Sequence, residues 1–156
     1  MISIPPEATD VSATVSDVEL RFHHVGVAVK SIAKALETYV GVLGFRQLAE
    51  PVEVPTEGVR VCFVEAAPGV RLELVEAVRE DSAVGGVLER SGAGPYHLCY
   101  EVDDLDEALR RLRRRRWRPF RRFELTTHGL RRFAFLMTPD LQLVELCERE
   151  GSEDSQ

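Results

Sequence analysis

The sequence predicts an α+β fold: two βαβββ modules whose strands join into one curved mixed sheet around a central cavity. Three observations carry that reading. A strand that opens on His and runs into a capped helix occurs twice, at His24 and at His97. A two-strand hairpin follows each helix, and in its second strand a Glu sits between aliphatic residues: Glu73 between Leu72 and Leu74, Glu145 between Val144 and Leu146. The spacing is also preserved. His24 to Glu73 spans 49 positions and His97 to Glu145 spans 48, while Phe63 to Glu73 and Phe135 to Glu145 both span 10. Internal repetition at this scale marks a duplicated supersecondary unit.

The elements follow in order. The first strand covers His24–Val29, with Val25, Val27 and Val29 on one face and His24, Gly26 and Ala28 on the other. Ser31 caps a helix whose apolar positions Ile32, Leu36, Val40 and Leu43 recur at helical spacing up to Gly44. A short strand around Arg46–Leu48 precedes a hairpin of Val61–Glu65 and Val70–Val75, turned at Pro68-Gly69. Asp81–Arg90 reads as a linking helix ended by Ser91–Gly94. The second unit repeats the plan: strand His97–Val102, then a helix with Asp104 as N-cap, Glu107 in capping-box position, and Leu105, Leu109 and Leu112 on one face. A strand over Arg118–Phe123 and a hairpin of Phe133–Met137 and Leu141–Leu146, turned at Pro139-Asp140, complete it. The expected organisation is a flexible leader over 1–20, one domain over 21–149 and a flexible acidic tail over 150–156. Within the domain the modules span 21–78 and 95–148, with the linking helix at 80–92.

Composition narrows the classes. The chain has 156 residues, 44% apolar and 29% charged, which suits a folded soluble domain, and no apolar run is long enough to span a bilayer. Its net charge of −6 argues against a general nucleic-acid binder. Cys62, Cys99 and Cys147 are odd in number and lack a CxxC pattern, so neither a disulfide framework nor a thiolate zinc site is indicated. The first 18 residues lack the basic and apolar regions of a secretory signal. A cytoplasmic protein is expected.

The repeat places two imidazoles and two carboxylates, His24, Glu73, His97 and Glu145, at equivalent positions facing one concavity. Taken singly, a His beside a strand is usually structural and a Glu between aliphatics usually meets solvent. The matched intervals favour a joint role. Two neutral nitrogens and two carboxylate oxygens suit a divalent first-row ion such as Co²⁺, Ni²⁺, Zn²⁺ or Mn²⁺, with octahedral positions left open for substrate.

With these residues in view the chain resembles the vicinal oxygen chelate superfamily, which includes glyoxalase I, methylmalonyl-CoA epimerases, extradiol dioxygenases and antibiotic-resistance proteins. The nearest resemblance is to the epimerases. It rests on His24-Val-Gly-Val-Ala-Val29, Glu57-Gly-Val-Arg-Val-Cys-Phe63, Leu72-Glu-Leu-Val-Glu76, Asp81-Ser-Ala-Val84, Gly92 through Asp104, His128-Gly129 and Leu143-Val-Glu-Leu146. The resemblance implies a metal held by His24, Glu73, His97 and Glu145, and a small carbonyl substrate such as an acyl-CoA. It also implies Glu145 and Glu73 as bases on opposite faces of an enolate, and a homodimer. Two departures stand out. Val61 occupies a position where some epimerases carry a Glu base, and Met137-Thr-Pro-Asp-Leu141 is shorter than the family's connection. The alternatives are a glyoxalase-like lyase or isomerase, and a drug- or metabolite-binding protein of the same fold; a two-His, one-carboxylate dioxygenase is disfavoured.

Other features have plainer readings. Arg110–Arg122 holds nine Arg with Trp117 and Phe120; a solvated helix end is favoured over a phosphate-binding patch. Parity turns His23 away from the cavity and puts Cys99 and Cys147 on its face as small filler. His128 reads as a turn residue. Glu57, Arg60 and Glu65 are not assigned a side.

Overall fold

A computed structural model describes residues 18–124 and 132–149, the side chains of 121–124 excepted. Nine strands and three helices alternate as β1 (Arg21–Val29), α1 (Ile32–Tyr39), β2 (Arg46–Gln47), β3 (Val52–Val54), β4 (Val59–Ala67), β5 (Val70–Ala77), α2 (Ala83–Ser91), β6 (Gly94–Val102), α3 (Leu105–Arg114), β7 (Arg118–Glu124), β8 (Arg132–Met137) and β9 (Leu143–Glu148). All strands share one open sheet in the order β2-β4-β5-β1-β6-β9-β8-β7, with β3 beside β2 on the edge of β4. The α+β prediction and its duplication therefore hold. β1–β5 and β6–β9 are parallel pairs, and the halves meet at the antiparallel pair β1–β6.

The two crossover helices start by the same device. Ser31 Oγ accepts from Lys34 N and Asp104 Oδ1 accepts from Glu107 N. One strand away, Glu76 accepts the amide of Ile32 at 2.8 Å, and Glu148 accepts that of Leu105 at 3.1 Å. Each helix N-terminus thus has a carboxylate against its positive dipole end, three residues beyond Glu73 and Glu145 respectively. The Glu107 side chain bonds Arg110 and Arg111 rather than returning to Asp104, so the capping box is half made.

The two crossover helices take the aliphatic strand faces, as alternation predicts. α1 covers Val27, Val29, Cys62, Val64 and Leu74; α3 covers Val102, Ala134, Leu136, Val144 and Leu146. The opposite face is left for the cavity, and α2 packs on that side against Ala28, Val59 and Val75.

Three features differ from the sequence expectation. The first helix stops at Tyr39, because the amides of Val42 and Leu43 both reach back to Thr38 O and open the last turn. Val40 and Leu43 therefore stand exposed, and the chain leaves through Gly44 at φ +74°. β3, flanked by Pro51 and Pro55, is an additional strand paired with Val59–Val61. The last strand begins at Leu143, since Leu141, at φ +66° and 78% exposed, belongs to the preceding turn. Residues 1–17 of the expected leader, the expected tail over 150–156, and His128-Gly129 lie outside the described residues. Val18 and Leu20 pack against α3. Among the described residues no helix is long and apolar enough to cross a membrane.

Candidate functional site

The four central strands, β5-β1-β6-β9, each bring one polar residue to a common point. Gly26 of β1 lies opposite Glu73 of β5 and His97 of β6, and Cys99 of β6 lies opposite His24 of β1 and Glu145 of β9. The seam thereby sets the imidazole of each half opposite a small residue of the other. Gly26 is required for this: a Cβ there would overlap the His97 ring.

The atoms converge tightly. His24 Nε2 is 3.2 Å from Glu73 Oε2 and 3.5 Å from Glu145 Oε2; His97 Nε2 is 3.0 Å from Glu145 Oε2 and 3.7 Å from Glu73 Oε2. The two Nε2 atoms are 3.3 Å apart. Donors about 2.0–2.2 Å from one cation stand about 2.8–3.6 Å from each other, so this set has the size of a coordination shell. Its chemistry fits as well, because four electron-rich atoms meet where only positive charge relieves them. Burial alone would lower the His24 pKa, but hydrogen bonds that His24 donates to Glu145 and Glu73 outweigh it and push it up to about 10. Burial would likewise raise Glu145, yet His24 and His97 hold its carboxyl down at about 2. These four side chains could hold a divalent ion.

They lie in a cavity of about 290 Å³. Phe63 packs edge-on against His24, with ring centres 5.2 Å apart, and Phe135 does the same to His97 at 5.4 Å. Val52, Val54, Val59, Val61 and Val75 line the first-half wall, so Val61, noted for its departure from the epimerase pattern, faces the cavity. Glu57 also lines it. Arg60 pairs with Glu53, and Glu65 is held by Gly69 N, Arg46 and Arg71 away from the cavity lining.

Two cavity residues were not expected. β1 bulges between Phe22 and His24, and β6 bulges between Pro95 and His97, so His23 and Tyr96 both escape strand parity and join the lining. The reading of His23 as turned away is corrected on this ground. His23 Nδ1 lies 2.8 Å from His24 Nδ1. Burial, with the charges of Glu73, Glu145 and Glu57, raises the Tyr96 pKa far above the usual phenol value, so its hydroxyl stays protonated. The only cue in the sequence is that His24 and His97 are each preceded by another ring, at the same repeat position. Cys147 lines the cavity, whereas Cys99 is fully buried behind it with its thiol 3.6 Å from Cys147 Sγ. Arg113–Arg116 are exposed, and among the described residues no Arg lines the cavity.

Comparison with known proteins extends this geometry. The model of the Glyoxalase/Bleomycin resistance protein/Dioxygenase superfamily matches residues 23–135. The mitochondrial methylmalonyl-CoA epimerase of Bos taurus is 37% identical over 99 residues, 63% of this chain and 55% of that protein. The chain thus spans about half the length of that relative. An uncharacterized protein of Bacillus subtilis is 33% identical over 138 residues, covering 87% of this chain and 97% of its own. Among solved structures, a Streptomyces coelicolor methylmalonyl-CoA epimerase variant in complex with 2-nitronate-propionyl-CoA superposes with a TM-score of 0.72 at 27% identity, covering 84% of this chain and 98% of that one. The methylmalonyl-CoA epimerase of Mycobacterium tuberculosis shares the fold with a TM-score of 0.76 at 24% identity, over 89% and 95% of the two chains. The doubled strand-helix-hairpin plan and the matched family model lead to one conclusion: the chain belongs to the Glyoxalase/Bleomycin resistance protein/Dioxygenase superfamily.

Proposed function

We propose that this protein is a metal-dependent isomerase that enolises the carbonyl of a small acyl thioester, of the methylmalonyl-CoA type, and returns the α-proton on the opposite face. The observation that carries the proposal is the meeting of two imidazole nitrogens and two carboxylate oxygens from four adjacent strands in a cavity walled largely by valine and phenylalanine side chains. His24, Glu73, His97 and Glu145 would hold the ion. When bound, a divalent cation supplies Lewis-acid polarisation of a carbonyl and offsets the negative charge that develops on enolisation.

The chain's own residues account for the rest. Glu145 on β9 and Glu73 on β5 come from opposite halves, and each carboxylate, with one oxygen turned to the imidazoles, has a second able to accept a proton. One takes the α-proton, whose C–H electron pair passes into the carbonyl system; the other delivers a proton from the far side, and the centre is inverted with no net change of atoms. The valine wall and Phe133 and Phe135 exclude water and suit an apolar acyl substituent. Tyr96, kept protonated, can donate to a substrate oxygen. Relatives and structural neighbours named as methylmalonyl-CoA epimerases support this substrate class. Val61 supports a second reading: without a carboxylate there, a glyoxalase-like shift that needs a single base is the alternative.

One experiment tests both. Metal content is measured after gentle purification, and solvent deuterium is followed into methylmalonyl-CoA with the intact protein and with Glu145→Gln. Bound metal is expected, with exchange into both enantiomers for the intact protein and into only one for the variant. Metal without exchange discards this substrate, and a protein that neither retains nor binds a divalent ion points instead to ligand sequestration.

A further inference from the structure

We infer that His23 is a positioning residue that fixes the tautomer of His24, so that His24 Nε2 meets the metal site with its lone pair. The inference rests on the metal reading above, but its first consequence can be read without a metal.

The His24 ring is engaged at both ends. Its Nε2 faces Glu73, Glu145 and His97, and its Nδ1 lies 2.8 Å from His23 Nδ1. Two ring nitrogens at that distance share one proton, which leaves two arrangements. If His23 donates, His24 Nδ1 accepts, the neutral His24 ring carries its proton on Nε2, and an N–H is aimed into the cluster. If His24 donates from Nδ1, its Nε2 lone pair is free to coordinate, and His23 accepts on Nδ1 with its own proton on Nε2. Only the second arrangement makes His24 a ligand, and outer-shell acceptors of this kind orient ligand imidazoles and raise their basicity.

The backbone is built to place this acceptor. A regular strand would send His23 to the opposite face from His24; the bulge between Phe22 and His24 brings both rings to the same side. Phe63 packs edge-on against both imidazoles, at 6.3 Å from His23 and 5.2 Å from His24. Cys99 lies close by, but its thiol is directed to Cys147 Sγ and Tyr100 O. His97 is treated differently. Its Nδ1 is buried without a hydrogen-bond partner among the described residues, and its ring packs against Gly26, Tyr96 and Phe135. The Nδ1 side of the imidazole thus meets a hydrogen-bond partner in one half and none among the described residues in the other.

The test uses the full-length ¹⁵N-labelled protein, metal-free and loaded with Zn²⁺. Long-range ¹⁵N–¹H correlation spectra should show His23 with its proton on Nε2 and none on Nδ1, and His24 with a proton on Nδ1, in both forms. Co²⁺ affinity, read by chelator competition, should fall about 10–100-fold in His23→Phe and stay within about threefold of wild type in His23→Gln, whose carbonyl oxygen can accept in place of the imidazole. A proton on His23 Nδ1, or a folded His23→Phe that binds Co²⁺ as tightly as wild type, overturns the inference. Should His23→Phe not fold, the wild-type spectra and His23→Gln decide it. If the wild type binds no Co²⁺, the metal reading fails, and the metal-free spectra still decide whether His23 Nδ1 accepts from His24.

Discussion

The two halves of the sheet agree most closely at their donor residues and diverge around them. His24 and His97, Glu73 and Glu145, Phe63 and Phe135, and the helix-capping Glu76 and Glu148 are matched in place and in partner type. The surroundings are not matched. The second half has one long edge strand, β7, whereas the first half breaks that edge into β2 and β3 and uses β3 to bring Val52 and Val54 to the cavity. α3 carries Asp106 and Glu107 in its first turn and Arg111, Arg113 and Arg114 in its last, complementing its dipole; α1 has neither and leans on its cap and packing. The duplicated part is what a shared cation site would need, and the unduplicated part shapes what enters.

The largest effect that sharpens the comparison comes from the two carboxylates. Glu73→Gln and Glu145→Gln should each slow epimerisation by about 10²–10⁴-fold, and each should leave deuterium exchange into only one enantiomer of methylmalonyl-CoA, opposite for the two. Exchange into the same enantiomer in both variants would show that the halves do not divide the two faces. Next in size, Co²⁺ at about 100 times its Kd should stabilise the protein by about 2.7 kcal/mol in thermal or urea unfolding, a gain lost in His24→Ala and His97→Ala alike. Unequal loss would rank the halves as ligands.

Gly26→Ala should cost about 1–3 kcal/mol by forcing the His97 ring aside, measured by urea unfolding. Cys99→Ala, at the matching position facing His24, should cost less, since it only trims a buried side chain. The smallest contrast lies at the helix starts. Glu148 accepts from Leu105 N and from Arg132, which also reaches Asp106, whereas Glu76 bonds Ile32 N. Glu148→Gln should therefore cost about 1–2 kcal/mol against about 0.5–1 for Glu76→Gln. The pH dependence follows from Arg132 holding the Glu148 carboxyl below the ordinary range. That contribution is present above the unfolded carboxyl pKa of about 4.3 and is lost as pH falls through the lower folded value, so Glu148→Gln should flatten the acid limb of the stability curve.

The duplication and the four converging residues were legible in the sequence because interval and alternation survive divergence: His24, Glu73, His97 and Glu145 keep their spacing whatever surrounds them. What escaped was local geometry. His23 and Tyr96 reach the cavity through bulges, and a one-residue slip leaves no compositional trace when no Gly marks it. Val40 and Leu43 continue the helical period past a helix that has already ended, since periodicity records apolar spacing and not hydrogen bonding. β3 is three residues long between two prolines, too short for alternation to show. Val61 could be flagged from the sequence, but its meaning waited on the valine wall it joins.

The antiparallel pairing of β1 with β6 has a mechanical corollary. Each half by itself owns one imidazole and one carboxylate, which would give a first-row ion only a two-point grip; a four-point grip would exist only while the seam is shut. Occupancy of that point would therefore work as a latch across the molecule's midline, so that a strain or partner prising the halves apart by an ångström or so would be felt first as escape of the ion, before any strand had unzipped.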